Sequence, residues 1–139
     1  GLSERSVGAA ANLDIAAIAA IVAADPRFAP LPAGWKSNSD FCLPFQGAES
    51  LRQAGARVAA HIQHAWQVLA HSELKLIVGH GAAIRHACAQ LGILSEADVA
   101  DLSMHHAQPI FVSCDEQGRW HRVAGEWKVR QHAGDELGE

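Results

Sequence analysis

The sequence predicts an α/β domain in which a short strand lies buried between helical layers, and three stretches carry that expectation. Residues 50–70 hold the longest helical pattern, and residues 74–78 (LKLIV) form a short apolar run. Gly79-His80-Gly81 ends that run directly before a second helical pattern over 82–91. Helix, strand, tight turn, helix is the order expected of a parallel strand whose carboxyl end opens on a crevice. A chain of 139 residues, 49% of them apolar, is in the range of one domain with a sizeable core.

The opening GLSERSVGAAANL is too rich in small and polar residues for a strand, and Gly8 would cost a helix interior about 1 kcal/mol relative to alanine. Asn12 can cap the next segment, where Ile15, Ile18, Ile21 and Val22 recur at helical spacing until Asp25-Pro26 stops them. Residues 28–47 contain prolines, glycines and Trp35, Phe41 and Phe45 without a period, which reads as a long pinned loop and a candidate substrate-facing lid. Leu51, Ala54, Val58, Ile62, Ala65 and Leu69 then make one apolar stripe. Gly92 is an ordinary stop for the helix over 82–91, and Ser95 and Asp98 offer a cap for a short helix through Leu102. Residues 109–114 and 120–123 read as two strands of a hairpin turning at 115–118. The tail after Arg130 is polar and expected to fray.

A formal charge of −4, from eleven basic and fifteen acidic residues, leaves no broad positive footprint, so neither nucleic acid nor a membrane surface is an expected partner. No run approaches the roughly 18 consecutive apolar residues of a membrane span. Cys42, Cys88 and Cys114 are widely spaced and odd in number, which reads as free thiols in a reducing compartment, hence the cytoplasm. The chain does not open on methionine, so it is expected to be processed or to begin inside a longer gene product. Neither a cofactor nor a metal is expected: His105-His106 are adjacent and diverge, and His61 and His64 have no third ligand.

His80 is the leading candidate for chemistry. The glycines beside it, Gly79 and Gly81, allow a sharp turn, and the helix that follows from about Ala82 can aim free amides at an anion. There His80 can donate a hydrogen bond to a phosphoryl oxygen; the alternative is a satisfied core histidine at a strand end. Arg85 falls between the first two turns of that helix, suited to bracing the site more than to clamping substrate. Glu4 is the candidate for proton transfer, the bland reading being a solvated residue paired with Arg5. Glu49 suits either a site or the dipole at a helix start, and Arg57 either a brace or a surface charge.

Three segments in order carry a resemblance. Leu2-Ser3-Glu4-Arg5-Ser6-Val7-Gly8 resembles L-x-E-R-x-x-G, Gly47-Ala48-Glu49-Ser50-Leu51 resembles G-x-E-S-L with Arg57 and Val58 beyond it, and residues 78–85 resemble V-x-H-G-x-x-I-R. These are similar to motifs of the histidine phosphatase superfamily, specifically its phosphoglycerate-mutase-like branch. The resemblance implies a three-layer sandwich around a mostly parallel sheet, with Glu4 as proton donor and His80 as the second active-site histidine. It implies Glu49, Arg57, Gly81 and Arg85 as substrate-binding or bracing residues, and a phosphorylated small molecule as substrate. The family's nucleophile lies in an N-terminal R-H-G motif, which this sequence lacks. Residues 1–139 are therefore expected to be the C-terminal portion of an incomplete domain, inactive alone, with the missing segment as a candidate partner chain and homodimerisation left open. The expected reaction of the intact parent is phosphomonoester hydrolysis through a phosphohistidine. A phosphoglycerate-mutase-like transfer and a noncatalytic phosphate-binding or protein-interaction module are the alternatives.

Overall fold

The computed structural model describes residues 1–131, so the expected fraying of the tail falls mostly outside the described residues. Four helices form: α1 (Ile15–Ala24), α2 (Leu51–Val68), α3 (Gly81–Gln90) and α4 (Glu96–Asp101). Single 3-10 turns occur at Gly8–Ala10 and Trp35–Ser37. The strands β1 (Leu102–Ser103), β2 (Phe111–Cys114), β3 (Trp120–Ala124) and β4 (Lys128–Val129) make two two-stranded sheets, β1 with β4 and β2 with β3.

Both sheets are antiparallel, which overturns the expected three-layer sandwich around a mostly parallel sheet. The fold is α/β with two small sheets. The expected strand over 74–78 is chain without regular structure that joins no sheet, and Leu74, Leu76 and Val78 are 79%, 74% and 75% exposed. A parallel strand holds its place only with hydrogen-bonded neighbours and helices on both faces. Among the described residues no strand pairs with 74–78, so β-favouring residues there have no sheet to enter.

Helix starts follow local hydrogen-bonding chemistry. Ser50 accepts from the Gln53 amide at 3.1 Å while the Gln53 side chain accepts from the Ser50 amide at 2.8 Å, a reciprocal cap that starts α2. Ser95 and Asp98 do the same for α4. Asp14 caps α1 through a 2.7 Å bond from the Ala17 amide, whereas Asn12, the residue expected there, sits in a left-handed turn. On α1 only Ile18 and Val22 are buried, and Ile15 and Ile21 face out.

Two apolar clusters hold the molecule. Ala54, Val58 and Ala59 of α2 meet Ala83 and Ala87 of α3, flanked by Leu2, Ile62 and Leu91. Small side chains let these helices approach closely: a Cβ on Gly55 would lie 2.3 Å from the Cβ of His86. The second cluster, Ala10, Ile18, Trp35 and Leu43, pins the 28–47 loop, with Trp35 and Phe41 rings 5.9 Å apart. The expected hairpin β2–β3 forms and rests on the far end of α2 through Trp66 and Trp120, 5.5 Å between centroids.

Candidate functional site

The opening segment is tied down along its length, and this places Glu4. Val7 bridges to Ala48, and the Glu49 amide donates to the Ser6 carbonyl at 2.8 Å. Gly8, at φ +62°, packs so closely that a Cβ would lie 2.4 Å from the Gln46 carbonyl oxygen, so only glycine fits. Arg57 of α2 completes the attachment. Its Nε and Nη2 donate to the two oxygens of Glu49 at 2.9 and 2.8 Å, and Nη1 donates to the Gly1 carbonyl at 2.7 Å. Nη2 also reaches the Glu4 carbonyl at 3.2 Å. Glu49 in turn accepts from the Ser6 amide at 3.0 Å. The Arg57 hydrogen bond, helped by that amide, holds the Glu49 carboxyl below its ordinary range, against the opposing effect of burial.

His80 occupies the N-cap of α3 in an extended conformation and makes no side-chain cap, so its imidazole is available to other groups. Its Nδ1 lies 3.7 Å from Oε2 of Glu4, and both side chains are solvent-accessible, 55% and 73% exposed. The core-histidine alternative is thereby excluded for His80. Gly81 opens α3 and has room for a side chain, since a Cβ would meet only Met104 at 3.8 Å. Arg85 is buried, donating to the carbonyls of Val99 at 2.7 Å and Leu102 at 2.5 Å, and it lines the same cavity as Glu4. It therefore fastens α4 and β1 to α3. The structure thus brings Glu4 to His80, ties Glu49 and Arg57 to the segment that carries Glu4, and uses Arg85 to fasten α4 and β1 to α3.

Beside Glu4 lies a cavity of about 490 Å³, walled by the opening segment, the 28–47 loop, α3 and α4. Arg5, Lys36, Ser39, His86 and Arg130 line it, and sequence reasoning passed over all five. Arg5 sits within a motif already singled out, its guanidinium 5.6 Å from the Trp35 ring centroid, and burial lowers its pKa. Lys36 and Ser39 belong to the loop read as a lid, but no periodicity there identifies single residues. His86 is the satisfied buried histidine of this molecule. Its Nδ1 is 2.8 Å from the Ala82 carbonyl and its Nε2 is 2.8 Å from the Ser39 hydroxyl. The carbonyl requires Nδ1 to donate, so Nε2 accepts from Ser39. Burial, more than its neighbours, pushes the His86 pKa down.

Cys88 is buried, its thiol pushed up to about 12 by desolvation, which removes it from nucleophilic chemistry. Among the described residues no cluster of three His, Cys, Asp or Glu side chains is placed to hold a metal. Nor is any helix among them long and apolar enough to cross a membrane.

No curated protein and no solved structure matches the chain. A family model, that of the histidine phosphatase superfamily (branch 1), matches residues 1–126. That span covers most of the chain and links it, at the level of the superfamily, to phosphatases and phosphorylated substrates. The chain belongs to the histidine phosphatase superfamily.

Proposed function

We propose that Glu4 and His80 serve phosphomonoester hydrolysis through a phosphohistidine, with residues 1–139 as the C-terminal portion of the catalytic domain. The nucleophilic histidine comes from an R-H-G segment that this sequence does not contain. The observation that carries the reading is the 3.7 Å approach of Glu4 Oε2 to His80 Nδ1 on an open surface beside a cavity. A carboxyl and an imidazole so placed can share one ester between them.

In the first step the nucleophilic nitrogen bonds to phosphorus and the ester P–O bond breaks, the leaving oxygen taking the proton of the Glu4 carboxyl. His80 donates a hydrogen bond to a nonbridging oxygen as negative charge spreads over the phosphoryl group. In the second step water attacks phosphorus, the P–N bond breaks, and the Glu4 carboxylate recovers a proton from the water. Inorganic phosphate leaves. Glu49 and Arg57 act on the Glu4 backbone, and Arg85 on the seating of α3.

The test is burst kinetics with an aryl phosphate, on this chain alone and after adding an R-H-G segment. The expectation is no turnover alone, and a burst with acid-labile phosphate on histidine after addition. Sustained turnover by the isolated chain would exclude the missing-nucleophile reading. Phosphate binding without turnover after addition would assign a noncatalytic phosphate-binding module instead.

A further inference from the structure

Ser39 and His86 form a pair that the Glu4–His80 chemistry does not use. Ser39 lies half-buried on the 28–47 loop, its Oγ 2.8 Å from His86 Nε2. The other ring nitrogen, Nδ1, is 2.8 Å from the Ala82 carbonyl oxygen. A carbonyl only accepts, so Nδ1 carries the proton and the Nε2 lone pair is aimed at the Ser39 hydroxyl. A hydroxyl, a neutral imidazole beside it and an acceptor that fixes the ring are the parts of an activated serine.

Both partners are held in place. The Ser39 carbonyl accepts from the Arg52 amide at 2.9 Å, and His86 packs against Gly55 of α2, where any Cβ would lie 2.3 Å from its own. His86 is buried, and burial keeps its pKa below the ordinary histidine value. Of the charged groups around it, Arg85 and Arg52 lower the pKa further and Glu96 raises it, while Glu96 is itself bound to Arg52 at 2.8 Å. Asp40, next to Ser39 on the loop, is bound to the same Arg52 at 2.7 Å. The ring is therefore a neutral base at neutral pH.

The pair opens on space. Ser39 and His86 line the cavity of about 490 Å³, a volume within the range of small-ligand sites, and Arg5 and Lys36 line it too. An oxyanion formed on a carbonyl bonded to Ser39 would stand among those cations. A hydrogen bond that only tied the loop to α3 would need no cavity in front of it.

We propose that Ser39 is a nucleophile and His86 its general base, an acyl-transfer site for small carboxylic esters that uses neither Glu4 nor His80. Ser39 Oγ bonds to the acyl carbon while its proton passes to His86 Nε2. The ester C–O bond breaks, and the leaving alcohol oxygen takes that proton from Nε2. Water then attacks the acyl-serine and gives a proton to Nε2, and the carboxylic acid leaves as Ser39 Oγ recovers the proton. Every group in the cycle belongs to this chain, so the site does not rest on the phosphomonoester reading.

A fluorophosphonate probe, which loses fluoride as a serine oxygen bonds to phosphorus, tests this on the 139-residue chain, with adducts located by peptide mass spectrometry. Ser37 lines the same cavity without a histidine among its described hydrogen-bond partners, and serves as the internal control. Ser39 is expected to react about a hundredfold or more faster than Ser37, and His86→Gln to remove that advantage. The wild-type rate should level off near neutral pH and fall in acid, with a midpoint below the ordinary histidine value, as Nε2 takes a proton. p-Nitrophenyl acetate should leave on Ser39 an acetyl group that water then releases. Labelling of Ser39 no faster than Ser37, or no acetyl on Ser39, overturns the proposal. So does labelling that survives His86→Gln in a folded chain, or a wild-type rate that climbs with pH without levelling. The control serine, the acetyl transfer and the pH profile are all read on the wild-type chain, so the proposal stays open to refutation even where His86→Gln does not fold.

Discussion

Arg57 uses both edges of its guanidinium, one on Glu49 and the other on backbone carbonyls of the segment that carries Glu4. With side chains only 28% and 23% exposed, the Arg57–Glu49 pair is better shielded than an ordinary surface ion pair. Arg57→Ala should cost about 1 to 3 kcal/mol in urea denaturation, because several charge-assisted bonds go at once. A cost near zero would mean that water replaces them. The pH dependence has a definite sign. The folded Glu49 carboxyl is depressed, chiefly by the Arg57 hydrogen bond, so its contribution is present above the ordinary carboxylate range and is lost as pH falls through the lower folded value. Comparing wild type with Glu49→Gln by thermal melts should show the stability difference closing in acid. A difference that stays constant from neutral pH into acid would contradict the assignment. At this scale sequence reading reached far: Glu4 and His80 were singled out from separate segments, and they meet. What stayed illegible was that Arg5 lines the same cavity as Glu4, because the segment that carries both has no regular structure.

α2 and α3 are pressed together through Gly55 and His86, and the loop over 28–47 is joined to the same contact by Ser39. Gly55→Ala would gain about 1 kcal/mol of helix propensity on an open helix, yet here its Cβ would meet His86 at 2.3 Å. The clash involves His86 backbone at 2.7 Å as well, so the helices must separate, and a net loss of about 1 to 3 kcal/mol is expected. Stabilisation by this substitution would show the packing to be looser. Ser39→Ala removes the only donor to His86 Nε2 among the described hydrogen bonds and should cost about 1 to 2 kcal/mol. Burial holds the folded His86 pKa down, so stability from neutral His86 is present above the ordinary histidine value and falls away as pH drops below it. Carbon-13 detected titration should place His86 below the ordinary value in the folded chain; a normal value would refute the buried neutral ring. Helix boundaries were partly legible because caps are local: Ser95 and Gly92 act where expected, whereas Asp14 caps α1 in place of Asn12. The close helix contact was legible at Gly55, since a glycine in an apolar stripe can mark a close approach, but nothing in the sequence names His86 as the residue that faces it.

The architecture of the whole molecule was the least legible level. LKLIV over 74–78 has strand composition, but composition cannot say whether partners exist, and a strand is a property of at least two segments. The hairpin β2–β3 could be read because both of its strands lie either side of one short turn. The consequence of the unpaired stretch is physical: Leu74, Leu76 and Val78 present a row of apolar side chains to solvent at about three-quarters exposure each. Exposed apolar segments invite association. The isolated chain should therefore self-associate with rising concentration in sedimentation velocity runs. Leu76→Lys should suppress that association, placing a charge in the centre of the row. Because Leu76 lies outside both apolar clusters, the same substitution should leave the thermal midpoint nearly unchanged, a stability effect within about 0.5 kcal/mol. The two measurements together separate the alternatives. A large drop in midpoint with Leu76→Lys would place the segment in the interior in solution, whereas unchanged stability with unchanged association would move the contact to another surface.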